Sequence, residues 1–169
     1  MKLTEGNGRV NRWWAMNEDQ NWKKNIIEDD DAIASLLRGV RRVAVLGIKP
    51  ESESGKPAHY VPAYLKRAGL EIVPVPVYYP EVEEILGERV YRRVSDIPGP
   101  IDLVDVFRRP GDLPPHLPDL LEKRPRAVWF QSGIRNDEAA EALARAGILV
   151  VQDRCLMVEH RRAVREGTE

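Results

Sequence analysis

Apolar residues fall in two rhythms along this chain. Short runs that are apolar at nearly every position alternate with longer segments where they recur every three or four residues. Val43–Gly47 (VAVLG), Ile101–Phe107 (IDLVDVF), Ala127–Gln131 (AVWFQ) and Ile148–Val151 (ILVV) are of the first kind. Such runs predict strands covered on both faces, as in a parallel sheet. Glu71–Val77 (EIVPVPV) predicts a further strand, and its two prolines suggest a distorted or bulged end.

Helices fill the intervals. Glu28–Asp31 precede Ala32, Ile33, Leu36 and Leu37, and carboxylates in a first turn oppose the helix dipole. Gly39 stops that helix. Ala58, Val61, Leu65 and Ala68 share one face of the next, with Pro57 in its first turn and Gly69 at its end. Pro62 lies inside it and leaves its boundary open. Leu113, Leu117, Leu120 and Leu121 mark another helix. Asn136–Gly147 reads as capped at one end and glycine-stopped at the other. Residues 155–166 predict a last helix, with Asp153 as its cap. Between positions 78 and 100 the pattern predicts a helical turn around Glu81–Leu86 and a short strand at Arg89–Tyr91.

Strands alternating with helices imply right-handed βαβ units. The expected fold is a Rossmann-like three-layer α/β/α sandwich with a mainly parallel sheet, spanning residues 26–169. Residues 1–25 form a polar extension with neither period. Its tryptophans, Trp13, Trp14 and Trp22, are expected to dock on the body or on a second subunit.

Length and composition narrow the function. A chain of 169 residues suits one domain. Hydrophobic residues at 43% and charged residues at 31% make a globular balance. Lys plus Arg is 26 and Asp plus Glu is 27, a net charge of -1, which argues against broad binding to nucleic acid or anionic membrane. The single cysteine, Cys155, allows no intrachain disulfide and no cysteine-based metal site. His59, His116 and His160 are dispersed, without metal-ligand spacing. The start has no apolar core of signal-peptide length and no run approaches ~20 apolar residues, so a cytoplasmic location is expected.

Ligands of open parallel sheets bind beyond the carboxyl ends of the strands. That rule nominates the loop after Gly47, the residues after Val75, Phe107–Pro110 (FRRP), and Gln131–Asn136 (QSGIRN). The first loop carries Ser52, Ser54, Gly55 and Lys56 just ahead of a helix, where N–H groups, hydroxyls and an ammonium suit phosphate oxygens. It is also longer than a βα connection needs. Lys49 and Ser52 stand where a dinucleotide fingerprint has glycines, and no acidic residue closes the second strand. Pro57 after Gly55-Lys56 rules out a Walker A loop. Arg108 and Arg109 suit phosphates or a solvated strand end, and Phe107 a base or the core. Gln131 and Ser132 offer an amide and a hydroxyl, and Gly133 permits close approach. No catalytic constellation emerges. Ser132 lacks a nucleophile elbow. Asp102 and Asp105 flank one strand on opposite faces. Cys155, beside Arg154 at a helix start, reads either as a small half-buried residue or as a thiol of lowered pKa.

The series VAVLG, KPAHYV, IVPV, IDLVDVFRRP, VWFQSGIRN and VVQDRCLMVEH resembles the small stand-alone CoA-binding domain family, itself similar to the N-terminal CoA-binding domain of the succinyl-CoA synthetase α subunit. The likeness covers roughly residues 30–165. It implies a Rossmann-like fold binding coenzyme A by its nucleotide end. Gly47, Ile48, Lys49, Pro50, Ser54, Gly55, Lys56 and Pro57 would line the pyrophosphate, and Val75 and Pro76 would border the adenosine. Phe107, Arg108, Arg109 and Pro110 would form one wall, and Gln131, Ser132, Gly133 and Ile134 the other. Small members of the family carry no established catalytic residues. Two departures stand out. The second strand ends PVPV where the family often has PVNP, and Tyr78, Tyr79 and Pro80 replace the synthetase's following lysine.

The expectation is a protein that binds CoA or acyl-CoA without chemistry of its own, as a monomer, a homo-oligomer or with a protein partner. Two alternatives remain at this level. One is an NAD(P)-binding oxidoreductase or redox sensor. The other is a protein-interaction module with a vestigial nucleotide crevice. A mixed disulfide between Cys155 and CoA is a third, lesser idea.

Overall fold

The apolar runs become neighbouring strands of one parallel sheet. The computed structural model describes residues 20–168. Five strands, β1 (Arg42–Leu46), β2 (Glu71–Val75), β5 (Leu103–Val106), β6 (Ala127–Phe130) and β7 (Leu149–Val151), lie in the order β2-β1-β5-β6-β7. All four pairings are parallel. A separate two-stranded hairpin, β3 (Glu84–Ile85) and β4 (Glu88–Arg89), pairs antiparallel.

The five α-helices among the described residues are α1 (Asp30–Arg38), α2 (Pro57–Arg67), α3 (Leu117–Lys123), α4 (Asp137–Arg145) and α5 (Leu156–Glu166). Alternation along each strand divides the core in two. Val43, Val45 and Trp129 face Ile33, Leu65 and Ala163 of α1, α2 and α5. Ala44, Val104 and Val106 face Leu120 and Leu143 of α3 and α4. The sheet is therefore covered on both faces, and the three-layer Rossmann-like sandwich is what the sequence predicts. Strand order reverses between β1 and β5. At such a switch, neighbouring loops diverge and open a crevice.

Local chemistry sets the element ends. The Asp29 carboxylate accepts from Ala32 N–H at 2.9 Å, and the Asn136 side chain accepts from Ala139 N–H at 3.0 Å, capping α1 and α4. Three expectations need correction. β2 ends at Val75 in unbroken register with β1, so the prolines produce no bulge. Pro74 is tolerated because β2 is the sheet edge, and Pro76 lies just past the end of the strand. The turn expected at Glu81–Leu86 is instead the β3–β4 hairpin, closed by Leu86 and Gly87 at φ 55° and 73°. Positive φ at both central residues is the hairpin-compatible turn. Finally, α5 starts at Leu156 with Cys155 at its N-cap and no side-chain cap. Asp153 sits at φ 55°, off the helix.

The segment before α1 packs on the body. Trp22 lies under the Arg145 guanidinium at 5.1 Å, Asn25 Nδ2 donates to the Ala144 carbonyl at 2.8 Å, and Ile26 bridges to Val150 beyond the sheet edge. Trp13 and Trp14 lie outside the described residues. No helix of the described residues is long and apolar enough to cross a membrane.

Candidate functional site

The β1–α2 loop is clamped by a feature that looks like a helix defect. Pro62, inside α2, has no N–H to give the carbonyl four residues back. That carbonyl belongs to Ala58, and the Lys49 N–H donates to it at 3.1 Å. His59, 7% exposed, makes the second clamp: its Nδ1 lies 2.9 Å from the Lys49 carbonyl. A carbonyl only accepts, so Nδ1 carries the proton. Lys49 is thus fixed to α2 by both its backbone groups. On the far side, the Glu51 carboxylate accepts from Leu86 N–H at 2.6 Å, tying the loop to the hairpin.

Gly47 is required by the protein itself. Its φ is 86°, and a Cβ there would stand 2.4 Å from the Phe107 carbonyl oxygen. The ends of β1 and β5 can approach this closely only without a side chain.

Above these ends three cavities adjoin. The first, about 260 Å³, lies between Gly47–Lys49, Val77–Tyr79 and Phe107–Arg109. The second, about 650 Å³, lies over the start of α2 and is walled by Phe107–Pro110 on one side and Gln131–Ile134 on the other. Lys49, Phe107, Arg108 and Arg109 border both. The third, about 610 Å³, lies beyond β6 and β7 and meets the second at Ser132 and Cys155. Together they make one groove along the carboxyl edge of the sheet.

Positive charge concentrates at the β1–β5 end. Lys49, Lys56, Arg108 and Arg109 border the second cavity. Of these, only Arg108 forms an ion pair with another described residue, to Asp112 at 3.9 Å. Its side chain is 14% exposed. Its Nε donates to His116 Nε2 at 3.2 Å, and its guanidinium lies over the Tyr78 ring at 5.5 Å. Burial, and then the charge of Arg108, hold His116 below its ordinary range against Asp119 and Asp112. A neutral imidazole is what lets Nε2 accept from Arg108. Helix α2 adds an N-terminus with Lys56 as N-cap and no side-chain cap. Pro57 has no N–H and the Lys56 carbonyl takes those of His59 and Tyr60 at 2.9 and 3.0 Å, so the Ala58 N–H is the one this turn leaves for an anion.

The β6 end is organised by buried polar groups. Gln131 Nε2 donates to Asp105 Oδ1 at 2.7 Å, and Gln131 Oε1 accepts from Leu156 N–H at 3.4 Å. Asp105 is fully buried in β5, and its Oδ2 has no partner among the described residues. Burial pushes its carboxyl up to about 8, against the hydrogen bonds from Gln131 and the Val106 backbone. Gly133, at φ 82°, donates its N–H to the Asp153 carboxylate at 2.6 Å, and Asp153 N–H donates to the Ile134 carbonyl at 3.1 Å. The loops after β6 and β7 are therefore one unit.

Most of the residues nominated from sequence come together here. Ile48, though buried, lines the first cavity, whereas Pro50, Val75 and Pro76 are buried outside the three cavities and Ser54 and Gly55 are exposed away from them. The wall beyond β2 is made by Val77, Tyr78 and Tyr79, within the stretch after Val75 that the carboxyl-edge rule nominates. Tyr60, His116 and Asp153 were missed. A helix period would have placed Tyr60 near the mouth, but nothing local signals a left-handed Asp153. Among the described residues no group of three His, Cys, Asp or Glu is placed to hold a metal ion.

Residues 41–161 match a family described as "CoA binding domain". "Uncharacterized protein YneT" of Bacillus subtilis is 35% identical over 128 residues, covering 76% of this chain and 91% of that protein. The structure of cell-free ID.343 from Thermus thermophilus is 43% identical with a TM-score of 0.73, covering 80% of this chain and 99% of the other. A hypothetical protein from Pyrococcus horikoshii OT3 is 34% identical with a TM-score of 0.72, covering 81% and 93%. A dinucleotide forming acetyl-coenzyme A synthetase of Ca. Korarchaeum cryptofilum, at 16% identity and TM-score 0.55, covers 69% of this chain and 27% of that one, and shares the fold. With the family match spanning residues 41–161, this chain belongs to the CoA binding domain family.

Proposed function

We propose that the protein binds coenzyme A, with the phosphate-bearing nucleotide end over β1 and β5. The observation that carries this reading is the cluster of Lys49, Lys56, Arg108 and Arg109 around one cavity at the switch point, beside the uncapped start of α2. Three of the four have no ion-pair partner among the described residues. Unpaired cations repel one another, and a polyanion relieves that repulsion. The nucleotide of CoA carries a pyrophosphate and a ribose phosphate, so it matches the charge. Arg108, braced by His116 and Tyr78, supplies a cation in the cavity beyond β2, where the lysine of the synthetase is missing. NAD is disfavoured because Val75 to Tyr78 offer no carboxylate for a ribose, and NADP is distinguished by the titration below.

The residues present thus suit CoA, and the protein's part is to bind and orient it. Calorimetric titration with CoA, 3′-dephospho-CoA, NAD and NADP tests the reading. The expected result is tightest binding to CoA, with dephospho-CoA weaker. NADP binding more tightly than CoA, or no binding of CoA, would overturn it.

A further inference from the structure

The groove is electrostatically lopsided, and its two ends suit different chemistry. The β1–β5 end carries the four cations. The third cavity carries three carboxylates, Glu28, Asp153 and Glu159, against two guanidiniums, Arg135 and Arg154. Neither guanidinium is free. Arg154 bonds Asp30 at 2.8 Å and Glu159 at 3.3 Å, and Arg135 pairs with Asp137 at 3.2 Å and Glu28 at 4.0 Å. Asp153 forms no ion pair among the described residues. The apolar lining is correspondingly thin, with Ile26 and Ile27 its only aliphatic side chains.

A ligand with a polyanionic head and an uncharged tail can lie along this groove in only one sense. Given the reading that CoA occupies the groove, its phosphates belong at β1–β5 and its thiol end at the third cavity. We propose that this cavity accepts the free thiol or a short uncharged acyl group, and selects against acyl groups that carry a carboxylate. It also gives no grip to a long alkyl chain. An acyl carboxylate would meet one more carboxylate than guanidinium, the unpaired one being Asp153, with both arginines already engaged by Glu28 and Glu159 and by Asp137 and Asp30. An alkyl chain gains roughly fourfold in affinity per methylene only where it leaves water, and a lining of charged side chains cannot provide that.

The test is calorimetric titration of the whole protein at low ionic strength with CoA, propionyl-CoA, malonyl-CoA and octanoyl-CoA. Propionyl and malonyl differ by a methyl against a carboxylate. The expected result is that malonyl-CoA binds weaker than propionyl-CoA by about two- to fivefold, the range of exposed charge interactions, with the gap closing as salt is added. Octanoyl-CoA is expected within about tenfold of propionyl-CoA, far short of the full methylene increment. Replacing Asp153 by asparagine (Asp153→Asn) keeps a residue that tolerates positive φ and an oxygen to accept from Gly133. It should shrink the malonyl-to-propionyl ratio toward one. Malonyl-CoA binding as tightly as propionyl-CoA, or octanoyl-CoA binding more than tenfold tighter, would overturn the assignment while leaving CoA binding intact. Failure of all four ligands to bind would instead overturn the functional reading beneath it.

Discussion

Replacing Asp105 by asparagine isolates the cost of burying a carboxyl in the centre of the sheet. Asp105 is fully buried, one oxygen takes the Gln131 amide at 2.7 Å, and the other has no partner among the described residues. Burial raises its pKa from 3.8 to about 8. The folded state therefore holds a proton that the unfolded chain releases near its ordinary value. Linkage fixes the sign: this group's stabilising contribution is full below the unfolded pKa, falls as pH rises, and levels off above about 8. Within that window the slope is about 1.4 kcal/mol per pH unit, so about 3 kcal/mol is lost between roughly pH 5 and 7. Asparagine is neutral throughout, and its Oδ1 still accepts from Gln131. The stability of Asp105→Asn relative to wild type should rise by that amount over the same interval. Urea unfolding followed by tryptophan fluorescence reads it as a midpoint difference growing by about 1–1.5 M, for an m-value of about 2 kcal/mol per M. A midpoint difference that stays constant across the interval would show that Asp105 ionises normally, and the reasoning would fail.

Other perturbations act on the groove. Lys56→Ala and Arg108→Ala should each weaken CoA binding by about 1–3 kcal/mol in calorimetry, the range for charge-assisted hydrogen bonds. His59→Ala frees the Lys49 carbonyl and leaves a buried gap. A loss of about 1–3 kcal/mol in chemical unfolding is expected, together with weaker CoA binding, because Lys49 is no longer held. Gly47→Ala forces a Cβ to 2.4 Å from the Phe107 carbonyl at φ 86°, and a loss of about 2–4 kcal/mol should appear as a lowered denaturant midpoint.

Much of this was readable from the chain. VAVLG, IDLVDVF and AVWFQ are apolar because their strands are covered on both faces, and that requirement leaves a trace in the sequence. The carboxyl-edge rule then led to the loops that border the groove. What escaped depends on contacts distant in sequence. Pro62 read as a boundary problem, yet it spares the Ala58 carbonyl for Lys49, nine residues before Ala58. Leu86 gave no turn signal because leucine seldom adopts positive φ. Asp153 resembled a helix cap, but its carboxylate serves Gly133 across the β6–β7 junction. Asp105 carried a sharper clue, a carboxyl inside an otherwise apolar strand. Its neutralising environment follows only from the pairing of β5 with β6.

Backbone amide chemical shifts recorded while CoA is titrated into the uniformly labelled protein test the central claim most directly. The account predicts that the largest changes fall at Gly47–Lys49, at the start of α2, at Phe107–Arg109 and at Ser132–Ile134. Changes confined to the opposite edge of the sheet, around Gly69, Asp102 and Gly147, would place the ligand elsewhere and contradict it.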